Sequence, residues 1–229
     1  GKNGFILSSL SGQIDLSARA GNGGTLLVDP NDIWIVPGSG DDPSITSPTS
    51  QDTLYADDVS NFLEGSNLII ETDSTANTGS GDIYVQSGAS ITWTNPYDLT
   101  FNAYRDFIMQ GADTTIPAAA SSIMGGGSVN VNAGRSILVE GSIQSSNSIS
   151  LNANRGSTPT DGDFDGVKIL APVSASTSVS IYGTSGNSDG NHGVIIGDMN
   201  SGNAPLVDSE SVSIIGASRA PTTSVVRFG

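Results

Sequence analysis

The sequence contains no cysteine among its 229 residues, so disulfide bonds, thiolate nucleophiles and cysteine-ligated zinc are excluded. Basic residues are scarce, since 8 Lys and Arg stand against 23 Asp and Glu and give a net charge of −15. A chain this acidic repels phosphate backbones and anionic lipids, so nucleic acids and membrane surfaces are poor partners. No apolar run approaches the ~20 residues that a membrane-spanning helix needs.

Helix signals are almost absent, because no window of 11 or more residues carries apolar positions at i, i+3, i+4 and i+7. A three-residue pattern recurs instead, in which two apolar residues flank a residue of any type between Gly, Asn, Ser or Asp. Alternation with period two sends both apolar side chains to one face of a strand. The pattern occurs in Ile14-Asp15-Leu16, Ile83-Tyr84-Val85, Leu99-Thr100-Phe101, Val129-Asn130-Val131, Ile149-Ser150-Leu151, Val179-Ser180-Ile181 and Val212-Ser213-Ile214.

A second strand follows the first at an offset of eight residues in three units, namely Ile83 to Ile91, Leu99 to Phe107 and Val129 to Ile137. A turn of sequence Asn-Ala-x-Arg recurs at residues 102–105, 132–135 and 152–155, with a weaker copy at residues 16–19. Four of the six arginines occupy this one turn position. Such repetition indicates a structural repeat, and which turn residue takes the left-handed backbone conformation is open.

These repeats predict an all-β fold in which each unit makes one turn of a coil and pairs in parallel with its neighbours. The apolar residues would stack into one continuous core along a single elongated domain, residues 1–229, of roughly ten turns. An antiparallel β-sandwich is the alternative, since it is also rich in short strands. A sandwich, however, does not explain the recurring Asn-Ala-x-Arg turn.

Three stretches interrupt the pattern, at residues 37–61, 113–127 and 155–166. In a solenoid, insertions fall at turns and project outwards, where binding functions often reside. Surface loops without function are an equally good interpretation of each stretch. The glycines at 125–127 lack the lysine and the strand–loop–helix setting of a phosphate-binding loop, so nucleotide binding is not expected.

The third insertion contains three alternate carboxylates followed by a glycine, Asp161, Asp163, Asp165 and Gly166. Hard oxygen ligands and a flexible glycine resemble the first half of a calcium loop. An EF-hand is excluded, because loop position 12 is Pro172 instead of Glu and position 8 is Lys168. A shorter calcium site, completed by the backbone oxygen of Val167 and a carboxylate from a neighbouring turn, is one hypothesis. A solvated acidic loop is the other.

Support for catalysis is thin, and we expect no enzyme activity. The only histidine, His192, lies in the turn-like run 186–193, and no nucleophile-elbow motif accompanies it, so we interpret it as a solvated loop residue. Parallel β-helices also host polysaccharide lyases and hydrolases, which makes such an enzyme the rival hypothesis. The aspartate pairs at residues 41–42 and 57–58 are candidates for the acidic residues of such an enzyme's active site. Aromatic residues could stack on sugars, although packing in the core or at an edge is the default for Trp34, Tyr55, Trp93, Tyr97, Tyr104 and Tyr182.

One segment has a more specific sequence, Gly23-Gly24-Thr25-Leu26-Leu27-Val28-Asp29-Pro30-Asn31-Asp32-Ile33-Trp34-Ile35. It resembles the GGTLL-hydrophobic-DP-x-x-I-x-I stretch of filamentous haemagglutinin-like exoproteins, the large passengers of bacterial two-partner secretion systems. Residues 12–19 and 81–85 and the Asn-Ala-x-Arg units are similar to repeats of the same family. The resemblance covers residues 5–151, and beyond them only the general rhythm of apolar residues continues.

This resemblance implies a right-handed parallel β-helix at a bacterial cell surface or in a secreted protein. It also implies a role in adhesion, with a receptor or glycan on a host or neighbouring cell as partner and an outer-membrane protein as secretion partner. The Asn-Pro-Asn-type motif of the family's secretion domain has no counterpart here. Strand patterns begin at residues 5–7 and end at 225–228 without polar caps, so we expect an internal part of a longer exoprotein. A purely structural spacer is a further alternative.

Overall fold

The structure is a computed structural model, and it describes residues 24–28, 31–38, 52–73, 79–113, 119–198, 205–219 and 226–228. In these residues the apolar triplets form short strands, as their period-two pattern predicts. The elements in chain order are β1 (Thr25–Val28), β2 (Ile33–Val36), β3 (Asp52–Tyr55), α1 (Ala56–Leu63), β4 (Asn67–Glu71), β5 (Ile83–Val85), β6 (Ser90–Thr92), β7 (Leu99–Ala103), β8 (Asp106–Met109), β9 (Ser122–Gly125), β10 (Val129–Ala133), β11 (Ser136–Val139), β12 (Ser142–Ser145), β13 (Ser148–Ala153), β14 (Val167–Ile169), β15 (Val173–Ala175), β16 (Ser178–Thr184), β17 (Val194–Ile196), β18 (Val207–Asp208), β19 (Ser211–Ala217) and β20 (Val226–Phe228).

The strands form three parallel sheets, which we call A, B and C. Sheet A has the order β1-β4-β7-β10-β13-β16-β19, sheet B the order β20-β17-β14-β11-β8-β5-β2-β3, and sheet C the order β18-β15-β12-β9-β6. A regular coil visits each sheet once, so that β7, β8 and β9 are followed by β10, β11 and β12 one level along. This is the right-handed parallel β-helix that the sequence predicts. The β-sandwich alternative is wrong, because the paired strands of the described residues run in parallel. The number of turns stays a prediction.

The core consists of apolar columns in which equivalent inward residues of successive coils stack. Val129, for example, pairs with Leu99 on one side and with Ile149 on the other, and all three side chains are buried. Burying such a side chain contributes about 1.5–3 kcal/mol. The short strands are therefore stabilised by their neighbours in the stack, which is the expected behaviour of a solenoid.

The eight-residue offsets join successive strands, but the three units are not equivalent. The units that begin at Leu99 and Val129 run from sheet A to sheet B, whereas Ile83 lies in sheet B and pairs with Phe107. Treating the unit at Ile83 as equivalent to the unit at Leu99 is therefore wrong, because the two units begin on different strands of the coil. The sequence reveals the spacing between two neighbouring strands, but the three sheets differ little in local pattern and only pairing distinguishes them.

Residues 52–61 of the first predicted insertion do not project from the solenoid. They form β3 and most of α1, and Leu54, Val59 and Leu63 are buried in the core. The sequence analysis missed this helix because its eight residues are shorter than the window that reveals helical periodicity. No helix in the described part of the chain is long and apolar enough to cross a membrane.

The helix covers one edge of sheet C by packing against β6. The Ser60 hydroxyl oxygen accepts a hydrogen bond from the Thr92 N–H at 2.9 Å, and a Glu64 carboxylate oxygen accepts one from the Thr94 N–H at 2.9 Å. Edge strands expose unpaired backbone groups that invite aggregation. The helix therefore replaces a neighbouring strand at this level of the coil.

The prediction of a second insertion, at residues 113–127, is also partly wrong. Residues 122–125 form β9, which pairs with β6 and β12, and Ile123 is buried in the core. The glycines that follow belong to a tight stack of turns, because a Cβ atom at Gly127 would overlap the backbone oxygen of Tyr97. No strand or helix lies between β13 and β14, where the third predicted insertion falls.

Candidate functional site

A row of asparagine side chains runs across the outer face of sheet A. Asn102, Asn132 and Asn152 occupy the same register position on β7, β10 and β13. The Asn132 amide donates to the oxygen of Asn102 at 2.9 Å, and the Asn152 amide donates to the oxygen of Asn132 at 3.2 Å. A primary amide offers two N–H donors and two lone pairs, so the row keeps hydrogen-bonding capacity for a ligand.

The row ends in groups of opposite charge. At one end, the Asn102 amide donates to a Glu71 carboxylate oxygen on β4 at 2.9 Å. At the other end, the Arg155 guanidinium donates to the Asn152 oxygen at 3.2 Å. Glu71 and Asn152 lie three strands apart, or about 14 Å at the usual strand spacing. The polar row is therefore directional, with an acid at the β4 end and a base at the β13 end.

The asparagine row borders an open cleft of about 430 Å³. Ala103, Ala133 and Gly134 are among its lining residues, so part of the lining consists of small side chains. Tyr104 also lines the cleft and is 56% exposed, which leaves much of its ring accessible. We call this site the asparagine cleft; its lining comprises Glu71, Thr72, Asn102, Ala103, Tyr104, Asn132, Ala133, Gly134, Asn152, Arg155 and Gly156.

The variable residue of each Asn-Ala-x-Arg turn has its own structural reason. Gly134 is required because a Cβ atom there would overlap the backbone oxygen of Tyr104 in the preceding coil. Asn154 takes the left-handed conformation with φ of 52°, and among the described residues other than glycine no other has a positive φ. The question that the sequence left open is thus answered for Asn154, while Tyr104 keeps an ordinary backbone.

The arginines of the first two turns are structural. The Arg105 Nε–H donates to Asp82 at 2.8 Å, and the Arg135 Nε–H donates to Asp106 at 2.8 Å, each with a second bond from the same guanidinium. The Asp82 and Asp106 side chains are 2% and 5% exposed. The bond to Asp82 raises the pKa of Arg105, and the bond to Asp106 raises the pKa of Arg135. These bidentate pairs join one coil to the next.

The same carboxylates organise the neighbouring backbone. Asp82 accepts the Asp106 N–H at 3.1 Å, and Asp106 accepts the Ser136 N–H at 3.1 Å. Burial and the adjacent Asp82 carboxylate together raise the pKa of Tyr84 to about 12, because both disfavour the phenolate. The Arg105–Asp82 and Arg135–Asp106 pairs thus form a column of paired charges at this corner between sheets A and B.

Arg155 differs from its two counterparts. Ser136 occupies the position that Asp82 and Asp106 hold in the preceding coils. Arg155 therefore has no carboxylate at the equivalent position of the coil before it. Arg155 is exposed, its guanidinium carbon lies 4.9 Å from the ring centroid of Tyr182, and it forms no ion pair with the described residues. It faces the asparagine cleft instead.

The predicted calcium ligands lie on one loop and at the start of the strand that follows it, and they have separate contacts. The Asp161 carboxylate pairs with Arg219 at 2.6 Å, and the Asp163 side chain is exposed. Asp165 accepts the His192 N–H at 2.7 Å, while Val167 is the first residue of β14. Within the described residues no group of three or more His, Asp or Glu side chains is placed to hold a metal ion. The calcium site stays a prediction.

His192 is not a solvated loop residue, so that interpretation was wrong. The side chain is buried at 7% exposure, and its Nδ1 lies 3.3 Å from an Asp165 oxygen. The composition of the loop suggested solvent exposure, but stacking of the coils encloses the turn. Of the carboxylates considered for catalysis, residues 57–58 lie in the first turn of α1, and residues 41–42 lie outside the described part of the chain.

Four of the six aromatic candidates separate clearly. Trp93 is buried and its indole N–H donates to the Tyr97 backbone oxygen at 2.8 Å, while Tyr55 is buried as well. Trp34 stacks on Tyr84 with ring centroids 4.4 Å apart. Packing, the default expectation, is therefore confirmed for these residues. Tyr104 is the exception, because it is exposed along the asparagine cleft.

Sequence reasoning missed this cleft, although its signal was present in the Asn-Ala-x-Arg repeat. From the sequence, the repeat indicates a structural turn. Only the strand register reveals that Asn102, Asn132 and Asn152 stand side by side on the outer face. Comparison of the chain with protein-family models, curated proteins and solved structures finds no match.

Proposed function

We propose that the chain is an adhesive β-helical segment that attaches to carbohydrate on another cell through the asparagine cleft. One observation carries the proposal: a continuous row of amides, flanked by an exposed tyrosine, lies in an open cleft of about 430 Å³. Amides satisfy sugar hydroxyls as both donors and acceptors. An aromatic ring covers the apolar face of a sugar ring at little entropic cost.

The geometry of the cleft favours an extended chain of sugars over a compact ligand. Together with Glu71 at its end, the row crosses four neighbouring strands of sheet A and spans about 14 Å at the usual strand spacing. Its amides repeat at the interval of the coils, which suits a ligand that itself repeats. The openness of the cleft also allows a chain to enter from the side, without threading.

Binding is better supported than cleavage. Glycoside hydrolysis generally uses two carboxyl groups on either side of the scissile bond. Glu71 is the single carboxylate among the described residues that line the cleft. We therefore propose attachment and no reaction at this site.

The cellular setting follows from the sequence resemblance. Similarity to filamentous haemagglutinin-like exoproteins supports a secreted or surface location in bacteria, export through an outer-membrane partner, and contact with host or neighbouring cells. A rigid solenoid with a lateral cleft suits that role, since stacked coils hold the amides at fixed spacing without the entropy cost of ordering a loop.

The test is a glycan array probed with the purified protein, once with millimolar calcium and once with chelator. Asn132→Ala removes the central amide of the row, and we expect it to weaken binding by at least tenfold, because one amide of the row is lost and its neighbours lose their partner. Asn130→Ala is the matched control: it is the same change on the same strand and face, but Asn130 does not line the cleft.

Loss of binding in Asn132→Ala with retention in Asn130→Ala supports the proposal. Equal effects of the two substitutions would place the binding surface elsewhere. If the parent protein binds no glycan in either condition, the segment is a spacer and the proposal fails. Thermal unfolding of both variants checks that the coil is intact.

A further inference from the structure

Arg155 has the sequence of a structural arginine but lacks the corresponding partner. In the two preceding copies of the turn, the guanidinium is held by a nearly buried aspartate, Asp82 or Asp106. At the third copy the aspartate is replaced by Ser136, and the left-handed Asn154 precedes the arginine. Both differences release the guanidinium from the corner and leave it at the end of the asparagine cleft.

The contacts of Arg155 orient it without neutralising it. One N–H bonds to the Asn152 oxygen, and the guanidinium carbon lies 4.9 Å from the Tyr182 ring centroid. A guanidinium carries five N–H donors in a planar fork, so most of its donors are free for an incoming oxyanion. The ring of Tyr182 supports the Arg155 guanidinium, and the positive charge of the guanidinium stays uncompensated.

An uncompensated positive charge is notable in a chain with a net charge of −15. Among the described basic side chains, Arg105, Arg135 and Arg219 form ion pairs with aspartates. Arg155 and Lys168 form none, and of these two only Arg155 lines the cleft. The cleft thus offers one positive charge, and a negative one from Glu71 lies at its opposite end.

We propose that the asparagine cleft selects a largely neutral oligosaccharide that carries a single carboxylate, and that Arg155 binds this carboxylate. The inference rests on the proposed carbohydrate-binding function and specifies its ligand. A polyanionic glycan is disfavoured, because its further charges would meet Glu71 and the negative field of the whole protein. The acidic sugar lies at the β13 end of the cleft, and neutral sugars extend along the amides towards β4.

Two matched pairs of probes test the inference by titration calorimetry. Xylotetraose is compared with aldotetraouronic acid, and lactose with 3′-sialyllactose, so that the arms distinguish a uronic acid from a sialic acid. In at least one pair, the acidic member should bind about tenfold more tightly, as expected of a charge-assisted hydrogen bond at a partly exposed site. Salt should reduce this advantage by screening.

Arg155→Gln identifies the responsible residue, because it removes the charge and keeps an amide donor. We expect it to abolish the advantage of the acidic probe, so that the variant binds the acidic and the neutral member with affinities equal to within about twofold. Lys168→Gln is the matched control, since it makes the same change of charge at an unpaired base outside the cleft. It should leave the tenfold advantage unchanged.

Two results would overturn this inference while the carbohydrate-binding function stands. One is equal binding of the acidic and neutral members by the parent protein, or binding of other array glycans but of neither pair. The other is an acidic advantage that survives in Arg155→Gln or disappears in Lys168→Gln. Absence of binding to every glycan would overturn both proposals, so the two failures are distinguishable.

Discussion

Two regions with nearly the same sequence play different parts in this β-helix. At the corner between sheets A and B, Arg105 and Arg135 are bound by buried aspartates and join successive coils. One coil later, Arg155 ends the same Asn-Ala-x-Arg turn but is exposed beside the asparagine cleft. The difference lies in the partner, because the residue one coil before is a serine. A repeated motif therefore has a fixed role only where the repeat of its partner is also intact.

The largest effect is expected at the intact corner. Asp106→Ala removes the acceptor of the Arg135 guanidinium and of the Ser136 N–H and hydroxyl, and it leaves these donors partly buried. We expect the free energy of unfolding to fall by about 3 kcal/mol, at the lower end for a broken buried pair because Arg135 is one-third exposed. Chemical denaturation measures the loss.

Arg155→Ala is the counterpart at the interrupted corner, and it should change the free energy of unfolding by no more than about 0.5 kcal/mol, as is usual for an exposed residue. If both substitutions destabilise the protein equally, Arg155 is structural after all. The contrast between the two regions would then be lost.

An intermediate effect is expected at Asn154, which redirects the chain before Arg155. Its buried amide bonds to the backbone of Thr160 and Thr184, and its φ is 52°. Asn154→Ala should cost about 2 kcal/mol, because it loses these bonds and adds strain from the left-handed backbone. Asn154→Gly loses the same bonds without the strain and should cost about 1 kcal/mol less. Chemical denaturation of the two variants isolates the strain of the left-handed backbone. A glycine variant that is no more stable than the alanine variant contradicts this prediction.

The smallest effect concerns the acidic loop that follows the released arginine. If calcium binds there, thermal unfolding should shift upwards at millimolar calcium, by the equivalent of about 0.4 kcal/mol when the ion is near its dissociation constant. Asp163→Ala should abolish the shift, whereas Asp57→Ala, an exposed aspartate on α1, should not. No shift in the parent protein contradicts the calcium hypothesis, and the Asp161–Arg219 pair would then be the loop's organising contact.

Much of the fold could be predicted from the sequence. The apolar triplets and the eight-residue spacing follow from the alternation of side chains along a strand, which is a local property. The assignment of units to sheets could not be predicted, because Ile83 and Leu99 stand in similar local patterns but pair with different columns. The short helix α1 also escaped, since its amphipathic face is shorter than a detectable period and is stabilised by packing against β6.

For the candidate site the division is similar. The sequence by itself determined that Asn-Ala-x-Arg recurs, and hence that equivalent side chains must be stacked somewhere in a coil. Only the tertiary structure decided that the asparagines form an exposed row, that His192 is enclosed, and that Arg155 lacks the aspartate of its counterparts. Contacts between residues about 20 to 30 positions apart depend on strand register, and register is fixed by the packing of the whole core and not by any local run of residues.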